Sequence, residues 1–550
     1  MSLQNLPILV LKEGTEHRTG KDAQKNNIAA AVAISEVIKS TLGPKGLDKL
    51  MVDNLGDVTI TNDGATVLDE MQVEHPMAKT MVQLAKAQDE KVGDGTTSTV
   101  LIAGTLLKVA QELLEQGIHP TVITKGYKLA MDKALEVLDA NAIKITKADQ
   151  KKVLKNLAIT CMNSKGLATE KEMLAGVCVD ACLAITEQRD GKNVCDIKQI
   201  QIIKKEGKSI QDTKMVDGII VDKEVVSMAM PKRLENVKIA LVDAALEITK
   251  TEFDAEVKVK DPTQVQAFLD EEEKMLKKMV DQIKAAGATV VFCQKGIDDV
   301  AQTFLAQAGI MAIRRVKKSD MDKLARATHA RVINSLRELT AGDLGSAALA
   351  EERKVGKDMM IFIEGCKNPK SVSILIRAGT EHVVEELERA MHDALCVVAD
   401  AIENPAYVAG GGAIESELAS ALRKYKDTYS GREQVAIELF ADVLEIIPAT
   451  LAENGGIDPV NTIVELRSKH KEGQKNAGIN LFTGKVEDML AANVIQPKVV
   501  IEQTLRSSTE AASMILRIDD VIAAKKSAGG GKGGPPGGPG GAPPGGEDMD

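Results

Sequence analysis

Residues 289–330 read TVVFCQKGIDDVAQTFLAQAGIMAIRRVKKSDMDKLARATHA. Apolar runs at 289–293 and 310–313 alternate with amphipathic stretches at 297–308 and 320–330. That β-α-β-α order predicts a parallel sheet with packed helices. Upstream, 200–203 and 237–242 are further strand-like runs. Just before the quoted stretch, Asp261 suits an N-cap, Pro262 a first helical position and Gly287 an exit. They predict a helix of about 24 residues, about 36 Å long. Its apolar stripe is Val265, Phe268, Leu269, Leu276, Met279, Val280 and Ile283, with a solvated acidic cluster from Asp270 to Glu273. Ala255, Val257 and Val259 alternate with charged residues in strand fashion before it, so the pattern alone reads as a surface hairpin and helix.

Both flanks of this mixed region are helical. Residues 26–42 carry apolar side chains at helical spacing and stop at Gly43-Pro44. Residues 51–52 and 58–61 predict two strands joined by a turn, and Asn62-Asp63-Gly64 a second turn. Amphipathic helices follow at 97–116 and 121–138, and the chain is helical again from 380. The order predicts a mixed unit inserted into a helical one, with hinges near 145–150 and 404–410. From 529 the sequence runs GGGKGGPPGGPGGAPPGGEDMD, with 11 of the 44 glycines and 5 of the 16 prolines. It predicts a flexible tail, the folded part ending near Lys526.

Composition excludes several classes of function. The 550 residues hold 70 Lys+Arg against 80 Asp+Glu, a net charge of −10, and only 2% aromatics with no Trp. An acidic, aromatic-poor chain argues against nucleic-acid binding. No apolar run approaches the ~18 residues of a membrane span, and residues 1–20 lack the features of a secretory signal, so the expected address is the cytoplasm. Seven scattered cysteines without a Cys-x-x-Cys pair argue against a disulfide scaffold, and the histidines form no zinc motif.

Four glycine-rich punctuations carry the chemistry: Leu42-Gly43-Pro44-Lys45-Gly46, Asn62-Asp63-Gly64, Gly93-Asp94-Gly95-Thr96-Thr97-Ser98 and Gly410-Gly411-Gly412. None is a Walker or Rossmann loop. In the third, glycines let phosphate oxygens approach the backbone, and the helix beginning near Thr97 points free N–H groups at them. Asp94 would repel a bare phosphate, but suits one bridged by Mg²⁺. A capped helix after a glycine turn reads equally well from these residues. Asp63 has the ordinary reading of a turn residue. Asp393 lies beside the apolar stripe of the 380–404 helix, where a solvated face and a positioned general base are both open readings.

Together, TLGPKGLDK (41–49), TNDGAT (61–66), GDGTTS (93–98), HDALCVVAD (392–400) and VAGGGA (408–413) resemble the signature blocks of chaperonins, in order. VVFCQKGIDDVAQ (290–302) and RRVKKSDMDKLARATHA (314–330), with the helix before them, are similar to the group II class of archaea and the eukaryotic cytosol. The resemblance spans about residues 15 to 525. It implies a multidomain α and α/β fold. A helical equatorial domain (1–147 and 405–526) would hold ATP, an intermediate domain (148–218 and 372–404) would hinge, and an α/β apical domain (219–371) would bind clients. The apical domain would bear a helical lid protrusion at about 247–278, and 527–550 would be a mobile tail.

The resemblance further implies an ATP-dependent machine that folds non-native proteins inside a stacked double ring of identical or paralogous subunits. Leu42, Gly43 and Pro44 would line the nucleotide and Asp94 would hold Mg²⁺. Gly95, Thr96, Thr97 and Ser98 would bind phosphates, Gly411 and Gly412 would pack against ribose and base, and Asn480 and Gln496 would also meet the nucleotide. Asn163, Ser164 and Lys165 match a nucleotide-sensing loop. Asp393 would be the general base, and Asp63 would help place the water or metal. Gln496 stands where the family usually carries an acidic residue, which predicts altered nucleotide affinity rather than lost binding. A subunit of a eukaryotic-type hetero-oligomer and a non-catalytic protein-binding scaffold are the competing readings.

Overall fold

The computed structural model describes residues 15–53, 55–165, 170–248, 262–367 and 369–524. Buried apolar side chains gather into three large clusters. The first is built on the helix Thr96–Glu115, buried almost all round, with the helices Gly20–Lys39, Pro76–Val92 and Pro120–Asn141 around it. From the far end of the chain come Ala413–Tyr425, Arg432–Leu444 and Lys498–Leu516. Gly104 shows why the central helix is so closely covered: a Cβ there would lie 2.2 Å from Ser35 Oγ on the neighbouring helix. The first helix begins at Gly20, earlier than its apolar spacing suggests, because its opening turn is mostly exposed and polar.

The second cluster joins helices Gln150–Met162, Lys171–Ile185 and Glu381–Glu403 to a three-stranded sheet. In that sheet Val372–Ala378 runs parallel to Ile200–Glu206 and antiparallel to Lys214–Val216. The two passages of chain between the first and second clusters run side by side. Ile143–Lys144 pairs antiparallel with Ala406–Ala409, whose other edge carries Ile495–Pro497.

The third cluster fills the middle of the chain around a seven-stranded sheet. The β-α-β-α run forms as read, Val290–Cys293 lying parallel to both Met311–Ile313 and Arg233–Val242. The sheet as a whole is mixed rather than parallel. Arg233–Val242 pairs antiparallel with Gly345–Val355, which turns at Gly356 (φ +66°) into Asp358–Glu364, and Gly218–Val221 closes the edge. That hairpin hides in the sequence because it carries charge at mid-strand. Arg353 forks onto Glu364 at 2.6 and 2.8 Å and bonds Glu351 at 2.6 Å, while its guanidinium lies over the Phe362 ring.

The long helix runs Pro262–Ala286. Leu276, Val280 and Ile283 are buried in the third cluster, whereas Leu269 is 52% exposed. Asp261, the predicted strand at 255–259, most of the expected hairpin and the Gly/Pro tail lie outside the described residues. All seven cysteines are buried and unbridged. Among the described residues no helix is long and apolar enough to cross a membrane.

Candidate functional site

One cavity of about 210 Å³ opens where the first and second clusters meet. Its floor begins at Gly95, which has φ +75°, a conformation that favours glycine, and carries no side chain to cap the helix it starts. The first-turn N–H groups of Thr96, Thr97 and Ser98 therefore lack a side-chain acceptor at their N-cap and face the cavity. Gly412, at φ +76°, starts the Ala413–Tyr425 helix without a side-chain cap and lines the same cavity. Side chains could not replace these glycines: a Cβ at Gly412 would sit 2.5 Å from Pro448 Cβ, and one at Gly411 2.8 Å from Met489 Sδ.

Asp63 is not the simple turn residue its neighbours suggest. It caps the helix Gly64–Glu70, its Oδ2 accepting from the Thr66 N–H at 2.9 Å and the Thr66 hydroxyl at 2.8 Å. Gly64 lies so close to Thr97 that a Cβ would meet Thr97 Oγ1 at 2.5 Å, which sets Asp63 beside the phosphate-type helix end. Asn62 donates to the Ser164 carbonyl at 2.5 Å, tying this turn to the loop after the helix Gln150–Met162. Lys171 bonds Asn163 Oδ1 at 2.6 Å from the next helix.

From that loop, Lys165 reaches back into the cavity. Its Nζ lies 2.8 Å from Asp393 Oδ2 and 3.3 Å from Asp63 Oδ1. Lys165 and Asp393 are each 7% exposed, so the solvated-face reading of Asp393 does not hold. Burial would lower the Lys165 ammonium, but Asp393 and Asp63 outweigh it and hold it well above its ordinary value. Burial would likewise raise Asp63, yet Lys165 and the Thr66 bonds keep it lowered. Asp94 differs. Burial and the nearby Asp393 charge push it up to about 6, against one bond from the Gly95 N–H at 2.7 Å.

The donor set can thus be tested against a metal–phosphate ligand. Three carboxylates (Asp63, Asp94 and Asp393) face one ammonium, an imbalance that a divalent cation would relieve. The uncapped helix start at Gly95, with no acidic residue in its first turn, calls for an anion. A magnesium-bound phosphate ester would satisfy both demands at once.

Every residue to which the resemblance gives a nucleotide, metal or catalytic role lines this one cavity: Leu42, Gly43, Pro44, Asp63, Asp94, Gly95, Thr96, Thr97, Ser98, Asn163, Ser164, Lys165, Asp393, Gly411, Gly412, Asn480 and Gln496. Sequence reasoning missed Asn62, Phe482 and Glu415, which line it too. Asn62 stood inside a quoted motif. Glu415 was hidden because a carboxylate in the first turn of a helix is commonplace.

A helical core visited by both ends of the chain, a second core joined to it by two paired passages, an inserted sheet bearing a long helix and a glycine-lined cavity at the first junction define a chaperonin-type subunit. The chain belongs to the TCP-1/cpn60 chaperonin family, whose model matches residues 34–526, and within it is a group II chaperonin subunit. It is 55% identical over 522 residues to a thermosome subunit of Pyrococcus horikoshii, covering 95% of each chain. It is 54% identical to thermosome subunit beta of Archaeoglobus fulgidus over 524 residues, covering 95% of this chain and 96% of that one. A third relative, thermosome subunit beta of Thermoplasma acidophilum, is 54% identical over 519 residues, covering 94% and 95%.

Proposed function

We propose that this chaperonin subunit hydrolyses ATP with Mg²⁺ in the cavity and uses the cycle to close over non-native proteins. The observation that carries this reading is the Asp63–Lys165–Asp393 arrangement facing the uncapped helix at Gly95. Thr96, Thr97 and Ser98 would hold the phosphates by backbone and hydroxyl donors, with Leu42, Gly43 and Pro44 along one wall. Bound magnesium would supply charge neutralisation at the phosphates, held by Asp94. Asp393 would take a proton from the attacking water, and Asp63 would help fix that water's position. Lys165, with Asn163 and Ser164, would read the terminal phosphate: while Asp393 and Asp63 hold the ammonium, its exchange onto phosphate frees the carboxylate. Gly411, Gly412, Asn480 and Gln496 would meet the ribose and base.

On this reading the three hydrophobic clusters act as equatorial, intermediate and apical domains. Asp393 and Lys165 stand on the intermediate elements and Asp94 on the equatorial ones, so hydrolysis requires the two to come together. Ring partners, identical or paralogous, would cover the apolar hairpin at 47–60, where Leu47, Leu50, Val52 and Leu55 are each 60% exposed or more. A cytoplasmic address accords with this role. Phosphate release from ATP, measured with and without Mg²⁺ and with an unfolded client, tests the reading: absence of Mg²⁺-dependent release by the assembled particle would overturn it.

A further inference from the structure

The cavity holds a carboxylate that the scheme above leaves idle. Glu415 sits in the first turn of Ala413–Tyr425, is 6% exposed and lines the cavity beside Gln496. Gln496 is fixed from behind, since its strand pairs with Ala406–Ala409 at the register Val408 to Gln496. Glu415 Oε2 is buried without a hydrogen-bond partner. A buried carboxylate oxygen with no donor is costly, and the ordinary remedy is a donor brought by the ligand.

We propose that Glu415 accepts a hydrogen bond from a sugar hydroxyl of the bound nucleotide and so selects ribonucleotides over deoxyribonucleotides. The inference rests on the nucleotide reading of the cavity and adds the group that reads the sugar. The chemistry suits the position. Glu415 lies three residues after Gly412, which the nucleotide reading sets against the ribose and base. A hydroxyl is both donor and acceptor. Burial raises the Glu415 carboxyl to about 7, with the Gln496 amide and its own N–H acting against that, so near neutrality it too can play either part. Were Glu415 only a countercharge for the helix end, the sugar's hydroxyls would make no difference to it.

The test is equilibrium binding of ATP, 2′-deoxy-ATP and 3′-deoxy-ATP to the assembled particle by calorimetry at saturating Mg²⁺. The wild type should bind at least one deoxy analogue about tenfold more weakly than ATP. Glu415→Leu should weaken ATP to that same level and leave the affected analogue within about twofold. Glu415→Gln, which keeps an acceptor, should preserve most of the discrimination. Equal wild-type affinity for all three nucleotides would overturn the proposal, even should the leucine variant fail to assemble. So would a leucine variant that weakens all three alike. Failure of the wild type to bind any nucleotide is a different result, which removes the nucleotide reading itself.

Discussion

Lys165 Nζ stands 2.8 Å from Asp393 Oδ2, joining a loop at the end of one helix to the middle of another more than two hundred residues away. Both groups are buried, and Asp63 from a third segment takes the same ammonium at 3.3 Å. The pair holds the carboxylate of the proposed general base occupied until something else takes the lysine. Asp393→Asn should therefore leave ATP affinity nearly intact and reduce turnover by about 10²–10⁴-fold. Phosphate release alongside equilibrium binding checks this, and near-normal turnover would remove Asp393 from catalysis.

Removing the cation is a different perturbation. Lys165→Met leaves two buried carboxylates without their shared partner, and breaking a buried pair in this way costs about 3–5 kcal/mol. The loss should appear in denaturant unfolding of the variant. In an Asp393→Asn background the same change should cost clearly less, because one of the stranded charges has gone. Additive losses would show that the two groups are not coupled.

Gly93 offers a steric test of the junction between the clusters. It has φ +62° and faces the Glu381–Glu403 helix, where a Cβ would lie 2.2 Å from Cys396 Cβ and 2.6 Å from its Sγ. Gly20 has the same φ but nothing within 4 Å of its would-be Cβ. Gly20→Ala should cost only the left-handed backbone penalty, about 1–2 kcal/mol. Gly93→Ala should cost that and the clash, and should also slow ATP turnover by holding Asp393 away. Equal thermal shifts for the two variants would contradict the contact.

Acid should act through Glu445. This carboxylate is 5% exposed and is clasped by Arg423 (2.7 Å at each oxygen) and by Arg467 (3.0 Å from Nε). Burial pushes it up, but the Arg467 and Arg423 bonds prevail and hold it below its ordinary value. A carboxyl lowered by folding binds its proton less readily when native, so its stabilisation is present above its unfolded pKa and lost as pH falls through the folded one. As pH falls below about 4.5, the wild type should lose thermal stability more steeply than Glu445→Gln, which starts lower because its two arginines keep only Asp442 as a carboxylate partner. Parallel pH profiles would exclude this origin.

Much of this molecule was legible in its sequence because glycines at positive φ and capping residues act locally. Gly43, Gly93, Gly95, Gly411 and Gly412 all adopt that conformation, and four of the five line the cavity. The order of strands and helices at 289–330 was equally local. What stayed hidden depended on contacts across the chain. The turn residue Asp63 becomes a buried partner only because Lys165 arrives from 102 residues away. Asp393 looked solvated because its helix carries the apolar stripe of one core, whereas the aspartate faces a cavity made by another. The Gly345–Glu364 hairpin escaped notice because Glu351 and Arg353 find their opposite charges within the sheet rather than in water.

The paired passages at Ile143–Lys144 and Ala406–Ala409 carry a mechanical consequence. A single covalent strap would let one body swivel freely on the other. Here two straps lie in register, Tyr407 opposite Ile143 and Ala406 opposite Lys144, with a further bond from the Ile145 N–H to the Pro405 carbonyl. Torsion about the long direction would shear those bonds, whereas flexing across the ribbon leaves them intact. If the second core rocks on the first, as proposed, this ribbon would favour bending over twisting.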